Sequence, residues 1–433
     1  MKFNLVRILV MANDILRVLY RGVVKVGIIA SRLRALQDKQ WAKGMEDRLG
    51  AGRWEQLTAT DLVWIHCASV GELNGIIPLL TELKEILPAQ KVLLTTTSIT
   101  GQAEIEKKSL SPHHCLLPFD SYSVVKKIVK RIKPRLFVVS ETELWPNLIE
   151  RLAKEKVPLM LINGRISNYS FPRYRWARNY FAPLLNRFAH LLVQTEVDKE
   201  RFLAIGASAD KIVRAGCTKY DKPAPQFSAA ELTKVKQEFG MSSEQVTFVA
   251  GSVRPGEEKI VIETFKALLD KHKNFQMIIA PRHADQYEPI CEMLKSYGLN
   301  IHRRSNGPVV GSVDVLLLDT MGELAKTYAL CDFAFVGGSL VDIGGHNPFE
   351  SAAYGKPVVM GKYVNNVREI ALDLQQQGGM QIVQDASAYV AAIEKLLTDE
   401  EYRQSAGAKA LTVWQKHQGA TKQVCAIIKS YLE

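Results

Sequence analysis

Short apolar runs, each followed by a polar or glycine-rich turn and then a helical pattern, constrain this chain more than any other feature. In the first half they are Leu62–Ala68, Val92–Thr97, Cys115–Leu117, Leu136–Ser140, Leu159–Ile162 and Leu191–Gln194. In the second half they are Thr247–Ala250, Gln276–Ala280, Val315–Leu318, Phe333–Val336 and Pro357–Met360. Their alternation with helices predicts an α/β chain with mainly parallel sheets. At 433 residues the chain is too long for one compact core. The aperiodic, proline-containing stretch 220–230 reads as a linker, which gives an expected first domain over 35–219 and a second over 231–433.

Open parallel sheets bind ligands beyond the carboxyl ends of their strands. The residues there are unusually polar: Ser69 and Glu72, Glu141 and Glu143, Asn163 and Arg165, then Ser252 and Arg254, Arg282 and His283, Asp319 and Glu323. Two such rows, one per domain, predict two sheets facing each other across a cleft, and sites favour domain interfaces.

The second row is the more telling. Phe333–Val336 runs into Gly337-Gly338-Ser339, a second glycine pair follows at Gly344-Gly345, and His346-Asn347-Pro348-Phe349-Glu350 is expected to open a helix. Glycines let backbone approach an anion, and a helix start offers unpaired N–H groups. Glu350 suits a ribose hydroxyl pair, because a carboxylate accepts two hydrogen bonds. The ligand expected is a nucleotide or nucleotide-sugar, although glycines alone would also make a tight turn before an ordinary helix. Gly251-Ser-Val-Arg-Pro-Gly-Glu257, Ala280-Pro-Arg-His283 and Thr320-Met-Gly-Glu323 repeat the device, with Arg254 placed to compensate a phosphate.

In the first half, Ala68-Ser-Val-Gly-Glu-Leu-Asn74 places a carboxylate at a strand-to-helix turn. Glu72 there either takes a proton from an attacking hydroxyl or caps its own helix. Glu141, in Ser140-Glu-Thr-Glu-Leu-Trp-Pro146, either stabilises charge or makes a structural salt bridge. Arg165 and the run Tyr169, Phe171, Arg173, Tyr174, Arg175, Trp176 and Arg178 suit a phosphorylated lipid headgroup; the same mix serves nucleic acid or clothes an exposed helix.

Charge is unevenly spread. Residues 1–190 carry 29 Lys and Arg against 16 Asp and Glu, a surplus of 13, while the remainder carries 27 against 29. An anionic lipid surface or phosphorylated glycolipid suits the basic half, with nucleic acid the rival. A nucleic-acid reading leaves the glycine turns of the second half unexplained, so no nucleic-acid partner is expected. Residues 3–31, within an expected anchoring segment 1–34, are strongly apolar, but Arg7, Asp14, Arg17, Arg21, Lys25 and Arg32 break up the run. On a helical wheel these six fall within roughly 80°, which predicts an amphipathic helix lying in a membrane interface or, alternatively, packed on the protein's own core. The six cysteines have no CxxC spacing, which fits a reducing compartment and argues against a zinc site. No DxD motif appears and the histidines lack ligand spacing, so neither a metal nor any other cofactor is expected.

Taken together, Ala68-Ser-Val-Gly-Glu72, Ser140-Glu-Thr-Glu-Leu-Trp-Pro-Asn147, Asn163-Gly-Arg-Ile-Ser167, Gly251-Ser-Val-Arg254, Pro281-Arg-His283, Met321-Gly-Glu323 and Asn347-Pro-Phe-Glu350 resemble the Kdo (3-deoxy-D-manno-octulosonic acid) transferases of lipopolysaccharide assembly. These are membrane-associated glycosyltransferases with two Rossmann-like domains, the GT-B architecture. The resemblance implies inverting, metal-independent transfer of Kdo from CMP-Kdo to a lipid A precursor (lipid IVA) at the cytoplasmic face of the inner membrane. It makes Glu72 the general base and assigns Glu141 and Lys219 to transition-state stabilisation. It carries CMP contacts to Pro281, Arg282, Met321, Gly322, Glu323, Asn347, Pro348, Phe349 and Glu350, with Arg254, Gly337, Gly338 and Ser339 meeting the phosphate and the Kdo carboxylate. Arg165, Arg173 and Arg175 are the expected acceptor contacts. Relatives are often described with a spanning amino-terminal helix, whereas the charges here favour an interfacial one.

Overall fold

The computed structural model describes residues 2–221, 223–242 and 244–433, and the side chains of all of these except 2–15 and 40. Among the described residues, fourteen strands form two seven-stranded parallel sheets. The first contains β1 (Val63–His66), β2 (Val92–Thr96), β3 (His113–Leu116), β4 (Leu136–Ser140), β5 (Leu159–Gly164), β6 (His190–Val193) and β7 (Ile212–Arg214) in the order 3-2-1-4-5-6-7. The second contains β8 (Val246–Val253), β9 (Phe275–Pro281), β10 (Ile301–Arg303), β11 (Val315–Leu317), β12 (Phe333–Val336), β13 (Val358–Gly361) and β14 (Met380–Val383) in the order 10-11-9-8-12-13-14. Central strands such as β1, β4 and β12 are buried along their whole length, as expected for sheets covered by helices on both faces.

The chain divides into two compact units, residues 1–222 with 417–433, and residues 223–416. The carboxyl end therefore differs from the expected division: the helix Ala420–Ser430 belongs to the first unit. The cause is apolar burial, since Val424, Cys425 and Ile428 join the core formed by Ile65, Leu79, Leu83 and Leu94. All six cysteines are buried thiols.

The chain order reverses at a central pair in each sheet, β1/β4 and β8/β12, with β10 and β11 exchanged at one edge of the second. That reversal separates the loops leaving neighbouring strands and opens a crevice at their carboxyl ends. Local backbone marks the same places. Glu141 follows β4 with φ 58°, Asn163 has φ 52° within β5, and Ser252 has φ 56° within β8. The pairing register shifts at both of the last two positions. Such irregularities re-aim side chains at strand ends.

The amino-terminal helix spans Lys2–Gln37. Its basic stripe turns toward the body of the first unit. Arg17 pairs with Glu150 at 2.7 Å, Tyr20 donates to Asp120 at 2.9 Å, and Arg21 donates to Asn147 while lying 4.6 Å from the Tyr122 ring centroid. Leu19, Val23, Val26, Ile29 and Leu33 are 60–69% exposed. The helix thus lies on the first unit through its polar stripe, with the described apolar face left exposed. Arg7, Asp14 and the apolar side chains before Leu16 lie outside the described residues. Among the described residues no helix is long and apolar enough to cross a membrane.

Candidate active site

In the first unit Ser69, just after β1, caps the helix Val70–Gly75 by accepting from the Glu72 N–H. Glu72 folds back on that cap: Ala68 N–H donates to its Oε2 at 2.8 Å and Ser69 Oγ to its Oε1 at 3.1 Å. The capping reading of Glu72 is therefore observed, and the cap fixes where the carboxylate sits. Burial is the largest influence on its acidity, with Glu141 and Glu143 adding like charge against the two hydrogen bonds, and its pKa rises to about 7. Burial and Glu141 also push Glu143 up. Arg165 donates to Glu141 at 2.8 Å, so the salt-bridge reading of Glu141 is observed.

Lys219 reaches the same neighbourhood through Asn163. Asn163 tolerates its left-handed backbone, as Asn does better than most residues. Its amide donates to Thr218 Oγ1 and accepts from Thr218 N–H, both at 2.9 Å, and Thr218 Oγ1 donates to Gly75 O at 2.8 Å. The backbone preceding Lys219 is therefore tied to the helix that carries Glu72, and a Cβ on Gly75 would stand 3.5 Å from the Lys219 Cβ. Glu72, Glu141, Arg165 and Lys219 are gathered at one end of the first sheet. Arg173 and Arg175 stand elsewhere, on the short helix Phe171–Trp176. Arg173 stacks on and donates to Tyr169, while Arg175 shares a shallow depression with Phe171, Pro172, Arg178 and the 90%-exposed Trp176.

In the second unit the glycine turn is already filled. Glu257, fully buried, accepts from Gly338 N–H and Arg254 N–H through Oε2 and from Ser339 N–H and Leu340 N–H through Oε1, at 2.8–2.9 Å. The Gly337 N–H goes to Gly251 O. The expectation that Gly337, Gly338 and Ser339 offer backbone donors to a phosphate is therefore corrected: a carboxylate of the chain itself takes that place. A Cβ on Gly337 would lie 2.4 Å from Ser252 O and 2.8 Å from Glu257 Oε2, so that glycine is needed for close approach. The expected helix after it is a single turn, Phe349–Ala352, with Phe349 buried, Asn347 accepting from Phe349 N–H and Glu350 exposed.

Arg254, Arg282, His283 and His346 cluster around these turns. Arg254 touches His283, and Arg282, Arg254 and His283 act electrostatically on His346. Pro281 is buried at the end of β9, while Met321 is 88% exposed and Gly322 has φ 87° with open space where a Cβ would be. Glu323 is engaged by Arg304 at 3.1–3.2 Å and by Thr320. Sequence reasoning missed the hold of Glu257 on the glycine turn, the place of His346 beside it and the Asn163–Thr218 link. The only signal for the first was its glutamate at the end of a glycine turn.

A family described as 3-deoxy-D-manno-octulosonic-acid transferase matches residues 43–222, and one described as glycosyl transferases group 1 matches residues 233–412. The 3-deoxy-D-manno-octulosonic acid transferase of Haemophilus influenzae is 31% identical over 86% of this chain and 87% of its own length. The chain belongs to the Kdo transferase family. A bifunctional glycosyltransferase/methyltransferase of Fusobacterium nucleatum is 35% identical over 79% of this chain, which spans only 54% of that protein's length. Among solved structures, the UDP-GlcNAc 2-epimerase of Neisseria meningitidis superposes with a TM-score of 0.57 over 85% of this chain and 99% of its own, at 14% identity. A glycosyltransferase of Rickettsia africae gives 0.56 over 86% and 99%, at 13% identity. At such identities the likeness speaks to fold alone, and that fold is GT-B. The protein is a glycosyltransferase.

Proposed function

We propose that this glycosyltransferase moves Kdo from CMP-Kdo to a lipid A precursor, with inversion at the anomeric carbon and without a metal. The acceptor hydroxyl oxygen attacks that carbon, its bond to the phosphate oxygen breaks, CMP leaves, and the hydroxyl proton passes to Glu72. The observation that carries this reading is the Glu72 carboxylate, held by Ala68 and Ser69 and pushed up to about pH 7, where a base is half ionised and still strong enough to accept a proton. Lys219 and Glu141 stabilise developing charge, and Arg165, Arg173 and Arg175 contact the acceptor. The second unit holds the nucleotide through Arg254, Pro281, Arg282, the Met321-Gly322-Glu323 turn and residues Asn347 to Glu350, with Glu350 on the ribose. Negative charge on the leaving phosphate is met by arginines, so no divalent ion enters the reading.

In the same reading the chain lies at the cytoplasmic face of the inner membrane on the exposed apolar face of its amino-terminal helix. Because Arg17 and Arg21 are spent on Glu150 and Asn147, attachment to vesicles should survive about 1 M salt, where the screening length falls to about 3 Å. It should be lost on Leu19→Asp with Val23→Asp. Release by salt alone would point to charge instead.

Function is tested by mass spectrometry of a lipid A precursor incubated with the protein and CMP-Kdo or UDP- and ADP-sugars. Gain of whole Kdo units from CMP-Kdo supports the reading; gain only from another donor replaces it.

A further inference from the structure

We infer that His346 contacts the anionic group of the ligand held by the second unit, donating from Nε2 beside the Nε of Arg254. This rests on the nucleotide-sugar reading above and names a residue for it. Three observations carry it.

First, the obvious anion site is closed. The N–H groups of Gly338, Ser339 and Leu340 are taken by Glu257, so an incoming phosphate has to be met by side chains. Second, two buried nitrogens in this neighbourhood, His346 Nε2 and Arg254 Nε, have no hydrogen-bond partner among the described residues. Buried polar atoms are nearly always paired, and leaving them so costs stability unless a ligand completes them. Third, the imidazole is packed in place: a Cβ on Gly338 would meet His346 Cδ2 at 3.1 Å and Nε2 at 3.3 Å. The absence of a side chain on Gly338 is what lets the ring lie there.

The surroundings agree. Burial, then Arg282, Arg254 and His283, hold the His346 pKa down to about 4. The ring is neutral at physiological pH and, as the Nε2–H tautomer, contributes a donor without adding a third positive charge to Arg254 and Arg282. The arginines supply attraction and the histidine supplies direction.

The test compares CMP with cytidine, which differ only in the phosphate, by titration calorimetry on the full-length protein. His346→Ala should weaken CMP about ten- to a hundredfold, as expected for a hydrogen bond to a charged group, and leave cytidine within about twofold. His346→Gln, whose amide N–H reaches the same place, should restore most of the preference. Equal loss for both ligands, or no loss for CMP, would overturn the inference, the first by making His346 a prop for the fold. If the wild-type protein ignores CMP but prefers UMP over uridine in a His346-dependent way, the CMP donor falls and the role of His346 stands.

Discussion

Two glutamates at equivalent places in the two units differ in how many donors hold their carboxylates. Glu72 follows the first strand of the first sheet, and Glu257 follows the first strand of the second. Glu257 is fully buried and receives four backbone N–H donors. These bonds clamp the Arg254 turn to the glycine turn. Glu72 is half-buried, receives one backbone N–H and one hydroxyl, and has Glu141 and Glu143 close by. Too few donors offset burial and like charge, so its proton affinity rises. In the proposed reading, Glu72 is the base and Glu257 holds the turn.

The largest effect expected from this contrast is on the chemical step. Glu72→Gln keeps the shape of the cap and removes the base, so kcat should fall by about 10²–10⁴. The same change at Glu257 should act on stability. Gln offers one oxygen where two accept, and its NH₂ faces N–H donors, at a cost of about 2–4 kcal/mol. Unfolding of the second unit should move down by about 5–15 °C in calorimetry. An unchanged melting temperature in Glu257→Gln would break the contrast.

A third expectation concerns pH. The Glu72 carboxylate accepts a proton only when ionised, so log(kcat/KM) should climb with unit slope from about pH 5 and level off near 7. The stability effect has the opposite sense. Because the folded pKa is raised from 4.5, the folded state holds the proton more tightly, and ionising Glu72 between 4.5 and about 7 costs stability. The smallest effect is expected at the link to Lys219. Thr218→Val leaves Asn163 Nδ2 and Gly75 O without their partner, a cost of about 1–2 kcal/mol. It should lower kcat several-fold with little change in CMP binding, measured by steady-state kinetics and calorimetry.

Much of this was legible in the residues. Every apolar run predicted as a strand is one, and the polar residues after those strands do gather at sheet ends. The strands that escaped notice are β7, β10 and β14, all at sheet edges. β10 is half-exposed at each position, and β7 and β14 at several, so their sequences carry no continuous apolar run. Glu141, Asn163 and Arg254 were visible as candidates, but the positive φ at Glu141, Asn163 and Ser252 was not, because only the sheet context imposes it. The glycine turn misled for a related reason. Glycines announce that something approaches the backbone closely, without saying that the approaching group is the chain's own Glu257. The amphipathic helix was recognised, yet which face meets the protein depended on Asp120, Asn147 and Glu150, more than eighty residues away in sequence.

The most direct test of the central claim is the single-turnover rate of Kdo transfer by Glu72→Gln, read by mass spectrometry, alongside its affinity for CMP. The division of roles predicts a rate at least about a hundredfold below wild type with CMP affinity within about twofold. A wild-type rate in Glu72→Gln would contradict it, and would return Glu72 to being only the cap of its own helix.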